Sequence, residues 1–173
     1  MKNQFEIPFV GLKIGIHDFE FKIDKSFFES MPYSLIEDGD LKVWMELEKK
    51  ETMLIADFEL FGTVKMACAR CNEEMDVEIE GELTVYYKFG NEETEDENLI
   101  VIPFESYQID VSQPIYELIT ISIPPRAAHE DDECDEEMVR LIEKYQQGQT
   151  ENKKDNDNDD DIDPRWSALK NLN

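Results

Sequence analysis

An α+β, mostly β domain is predicted, with an antiparallel curved or barrel-like sheet and two or three helices. Two observations carry this. Met75, Val77, Ile79, Gly81, Leu83, Val85, Tyr87 and Phe89 form an alternating row whose partners Asp76, Glu78, Glu80 and Glu82 are acidic. Alternation of this kind marks strands with one dry and one wet face, the pattern of antiparallel sheets. Helical spacing, by contrast, is confined to short segments.

The elements follow in order. Phe5, Ile7 and Phe9, then Phe19, Phe21 and Ile23, alternate with polar neighbours and predict two short strands. Asp24 is placed to cap a short helix carrying Phe27, Phe28 and Met31, which stops at Pro32. Glu37 to Asp40 is a turn signal. Leu41, Val43, Met45 and Leu47, with Trp44 among their outward neighbours, predict a strand that reverses at Lys49-Lys50. Leu54, Ala56, Phe58 and Leu60 predict the next, with a break expected near Gly62 before Val64 and Met66. After an acidic loop at 91–98 comes a strand from Leu99 to Ile102. Ser112 is the expected N-cap of a helix with Pro114 just inside and Ile115, Leu118 and Ile119 on one face. Pro124-Pro125 ends it and forces extended chain. Met138, Leu141, Ile142 and Tyr145 predict a further helix with an acidic first turn.

This places a single domain over 1–145. Residues 146–162 are Gln, Asn, Asp, Glu and Lys with almost nothing to bury, and are expected to be a disordered acidic linker. Residues 163–173 break that pattern. Asp163 and Pro164 can start a short helix with Trp166, Leu169 and Leu172 along one side, the form of a tethered docking motif.

Charge narrows the function. The 173 residues hold 42 acids and 17 bases, a net charge of −25. That opposes extended nonspecific binding to DNA or RNA and adsorption to anionic lipid. Three acidic stretches, 92–97, 130–137 and 146–163, contain 19 of the acids and two lysines; the rest, 23 acids against 15 bases, is ordinary for a folded domain. No apolar run approaches a membrane span and no signal-peptide core opens the chain, so a cytoplasmic location is expected. Three cysteines there read as reduced thiols or metal ligands.

Cys68-Ala69-Arg70-Cys71 turns two thiols toward one point, and His129 and Cys134 can complete a Cys3His zinc set. The alternative is a hairpin with half-buried thiols, His129 making a local hydrogen bond. A redox pair is disfavoured because the motif lies between strands rather than at a helix start. Arg70 and Arg126 are candidate contacts to phosphate or carboxylate, or solubilising residues. No Gly-rich phosphate loop or nucleophile constellation is present, so no catalytic residue is assigned.

Three motifs occur in one order: Cys68-x-Arg70-Cys71; Ile123-Pro124-Pro125 followed by His129 and Cys134; and Asp163-Pro164-Arg165-Trp166-x-x-Leu169-x-x-Leu172. From about residue 40 to the end, this resembles the YceD-like family, the large ribosomal RNA subunit accumulation proteins. The resemblance implies a non-catalytic role in accumulation or assembly of large-subunit ribosomal RNA. Given the charge, the expected partner is a basic ribosomal protein or a precursor particle, contacted through Pro164, Arg165, Trp166, Leu169 and Leu172, with RNA contact local, around Lys65, Arg70 and Arg126. The competing readings are an acidic nucleic-acid mimic seated in another protein's basic cleft, and a thiol or zinc protein built on Cys68 and Cys71.

Overall fold

The computed structural model describes residues 4–32, 34–90, 98–130 and 133–151, with side chains up to Tyr145 in the final helix. The chain divides into two compact units, 1–129 and 130–173.

The first unit is built on a five-stranded sheet. Its strands are β2 (Gly15–Ile23), β3 (Gly39–Lys49), β4 (Met53–Ala67), β5 (Glu74–Phe89) and β6 (Leu99–Ile102), in that spatial order. A second, two-stranded sheet pairs β1 (Glu6–Ile7) with β7 (Ile109–Asp110). Helices α1 (Lys25–Ser30) and α2 (Ser112–Ser122) complete the unit. The mostly β prediction holds, and the sheet is open rather than closed into a barrel. Alternation predicted its faces well: Leu41, Val43, Met45, Leu47, Leu54, Ala56, Phe58 and Leu60 are all buried.

Three local expectations are corrected. Strand β4 does not break at Gly62. It runs on, with Gly62 paired to Leu41 on one side and Ile79 on the other. Gly62 has φ +143°, and a Cβ there would collide with the Asp40 carbonyl oxygen and Leu41 Cα, so glycine is what lets three strands stay in register. Ser112 is not the cap that satisfies α2. Val111 holds the N-cap position without a side-chain bond, and the nearby acceptor is Asp110 Oδ1, which takes the Ser112 N–H at 2.9 Å and its hydroxyl at 2.6 Å. Strand β6 runs parallel to β5, whereas the other neighbours in the sheet are antiparallel. The Tyr86 N–H donates to the Asn98 carbonyl at 2.8 Å and the Gly90 N–H to the Ile102 carbonyl at 3.0 Å, holding both ends of the pair.

Helix α2 packs on β5 through Ile115, Leu118 and Ile119, none of which is exposed. Each such side chain contributes about 1.5–3 kcal/mol by leaving water. Gly81 permits the approach, since a Cβ there would meet Ser122 Oγ and Leu118 Cδ1. At the other end, Phe5 packs edge-on to Phe27 at 4.9 Å and stacks with Phe21 at 5.6 Å, tying β1 to α1 and β2. Asp24 caps α1 as expected, accepting from the Ser26 N–H at 2.9 Å.

The second unit contains α3 (Glu136–Glu151), started by Asp135 Oδ1 accepting from the Glu137 N–H at 2.7 Å. The helix continues six residues past Tyr145, into the segment that composition marked as linker. Its predicted apolar stripe is real in spacing but wet: Met138, Leu141 and Tyr145 are exposed. The acidic loop 91–97 and the segment 152–173, with the Trp166 motif, lie outside the described residues. No helix among the described residues is long and apolar enough to cross a membrane.

Candidate metal centre

Strands β4 and β5 are joined by Cys68–Glu73, and the turn is tight because the chain bonds to itself twice. The Cys68 N–H donates to the Glu73 carbonyl at 2.8 Å, and the Asn72 N–H to the Cys68 carbonyl at 2.9 Å. Asn72 takes the left-handed conformation, φ 63°, that closes the turn, and asparagine tolerates it better than most residues. Both thiols are thereby buried, at 2% and 3% exposure, deeper than the half-buried hairpin considered from sequence.

The second half of the site arrives from 58 residues away. Ile123 leaves α2 with extended backbone ahead of Pro124-Pro125, and the Ala69 N–H donates to the Ala127 carbonyl at 2.8 Å. That bond pins the CxxC turn to the strip before His129. The His129 N–H then donates to Cys68 Sγ at 3.4 Å, and His129 Nδ1 stands 3.4 Å from Cys71 Sγ. The Arg70 N–H also donates to Cys68 Sγ at 3.4 Å.

These contacts set the electrostatics. Burial works against ionisation of Cys68 and is the largest single influence on it. The N–H groups of Cys71, Arg70 and His129 and the Cys71 thiol together outweigh it and bring the Cys68 thiol down to about 5. His129 is raised, chiefly by its hydrogen bond to Cys71, against a smaller opposing effect of burial.

A cradle of N–H donors around a buried sulfur favours thiolate, the form that binds metal. Bonds of about 2.0–2.3 Å to a tetrahedral zinc would set ligand atoms about 3.8 Å apart. Those of Cys68, Cys71 and His129 lie within 4.8 Å of one another. Cys134, five residues beyond His129, belongs to the second unit and is the remaining thiol of the Cys3His set expected from sequence. Two thiols and an imidazole at this spacing are donor types that suit zinc.

The charged candidates fare differently. Arg70 is half-buried within the CxxC turn and Arg126 is exposed beside the prolines. Lys65 pairs with Glu74 at 2.9 Å and lies 3.8 Å from Asp76, and the Glu74 hydrogen bond and charge raise its ammonium. Pro164, Arg165, Trp166, Leu169 and Leu172 lie outside the described residues.

The family described as large ribosomal RNA subunit accumulation protein YceD matches residues 56–173. The chain belongs to this family. The YceD match starts inside β4, later than the resemblance from residue 40 suggested, and takes in both halves of the Cys/His group. No curated protein and no solved structure matches the chain.

Proposed function

We propose that this YceD-family chain is a non-catalytic factor that supports accumulation of large-subunit ribosomal RNA by binding a basic ribosomal protein or a precursor of the large subunit. The family match across 118 of 173 residues carries this reading. The net charge of −25 supports a cationic partner over naked RNA, because an acidic surface steers encounter with positive protein and repels phosphate. Within this reading Cys68, Cys71, His129 and Cys134 hold a structural zinc, whose binding clips the β4–β5 turn to the strip after α2. The Trp166 motif acts as a tethered apolar hook, and Arg70 and Arg126 make local contacts.

Depletion of the protein followed by profiling of ribosomal particles tests the reading. A selective deficit of large-subunit RNA is expected, together with recovery of ribosomal proteins or precursor particles in a pull-down at moderate salt. Capture of a basic protein with no change in large-subunit RNA would instead favour the nucleic-acid mimic. Cysteine-dependent turnover of a small molecule would reject the non-catalytic reading.

A further inference from the structure

The wet face of the five-stranded sheet carries an aromatic pair that packing does not explain. Register sets Glu20, Trp44, Glu59 and Glu82 side by side in one row across β2, β3, β4 and β5. Trp44 stacks on Phe61, with ring centroids 4.8 Å apart and planes 18° apart, yet the two residues remain 39% and 46% exposed. Large rings held rigid on a wet surface leave an apolar patch with a defined π-face. Shallow hollows of about 360 and 510 Å³ flank it.

The charge around the rings has one sign on the β4–β5 side. Glu59 and Glu82 are direct cross-strand partners, an arrangement that weakens a sheet. Among the described residues neither has a cationic partner, and Glu80 stands in the next row opposite Phe61. Lys22 and Lys42 are the cations in that row, on the β2–β3 side of Phe61. Repulsion between Glu59 and Glu82 is thus built in beside an open aromatic surface, and a cation arriving there relieves it.

We propose that this face docks a flexible arginine-rich segment of a basic protein, a guanidinium stacking on Trp44 and Phe61 while its N–H groups bond Glu59 and Glu82. The acids select a cation, and the rings select arginine over lysine, because the planar guanidinium stacks on aromatic faces and forks onto carboxylates. Trp44 precedes the matched segment, so the surface adds to what the family match implies. That the segment belongs to a ribosomal protein rests on the proposed function; the chemistry of the face does not.

Fluorescence anisotropy of labelled hexa-arginine, hexa-lysine and oligo-uridine, titrated with the full chain at moderate salt, tests this. Acids elsewhere in the chain attract both peptides, so the part of the arginine preference that depends on Trp44 reads this face. Hexa-arginine is expected to bind several-fold tighter than hexa-lysine, and Trp44→Thr to erase about tenfold of that affinity, equivalent to one good cation–π contact. The double variant Glu59→Gln, Glu82→Gln removes a repulsion, so it folds, and it is expected to lose the same arginine preference. Equal binding of the two peptides, indifference to both sets of substitutions, or Trp44-dependent binding of oligo-uridine overturns the proposal. Arginine-selective binding without co-sedimentation with precursor particles leaves this surface standing and removes the ribosomal reading. Co-sedimentation with no arginine preference does the reverse.

Discussion

Cys71 Sγ and His129 Nδ1 stand 3.4 Å apart although 58 residues separate them. The contact depends on two long strands ending at a tight turn and on a proline pair that carries the chain back past that turn. Metal loading follows from it. Purified protein is expected to hold about one zinc per chain, and cobalt substitution to give thiolate charge-transfer absorption. Cys71→Ser should abolish both. Elemental analysis showing no metal in protein prepared without chelator, with no cobalt spectrum, would leave a hydrogen-bonded thiol cluster instead.

The same contacts set a pH dependence in metal-free protein. Cys68 is depressed to about 5, so between that value and its ordinary range the unfolded chain binds the proton that the folded chain has lost, and stability rises with pH. His129 is raised, so its contribution is full below about 6.5 and is lost as pH climbs through its folded value. The net slope is therefore expected to be positive from about 5 to 6.5 and to flatten above. Urea midpoints of wild type and Cys68→Ser across this window check it; parallel curves would show that the thiolate contributes nothing.

Gly62→Ala should cost about 1–3 kcal/mol, the usual penalty for forcing a side chain into such a backbone conformation. The added Cβ would press on the Asp40 carbonyl and Leu41 Cα, so β3 and β4 must part locally. Chemical denaturation measures the loss. A change within error would mean that the β3–β4 register tolerates a bulge there.

Asp110→Ala is expected to destabilise by about 0.5–2 kcal/mol, and Ser112→Ala by less, because the carboxylate is the acceptor for α2. The opposite ranking would restore Ser112 as the cap. Thermal or urea denaturation of the two variants decides between them.

Trp166→Ala should weaken association with precursor particles while leaving the melting transition unchanged. Unaltered co-sedimentation would dismiss the terminal hook.

Much of this molecule was legible in its residue order. A period of two sorted the inward from the outward residues of β3, β4 and β5, since a strand's faces alternate whatever it later pairs with. The Asp24 cap and the Pro124-Pro125 stop were equally local. The donor types of the candidate metal centre were legible too, because a two-residue gap between cysteines can turn two thiols toward one point. Expectations failed where a residue's role depends on a distant neighbour. Gly62 looked like a break because a lone sequence does not reveal that Asp40 and Leu41 press against it from β3. Ser112 failed for a local reason instead: the acceptor, Asp110, sits two residues earlier at the end of β7.

By itself, residue order determined which side chains of β3, β4 and β5 face inward, that Asp24 caps α1, and which residue types could bind metal. Tertiary structure decided that His129 meets Cys71, that β6 runs parallel to β5, and that Trp44 stacks on Phe61 beside Glu59. The physical reason is range. Periodicity and capping act over a few residues of chain, whereas cross-strand register and the return of a segment after a helix are settled by packing many elements at once.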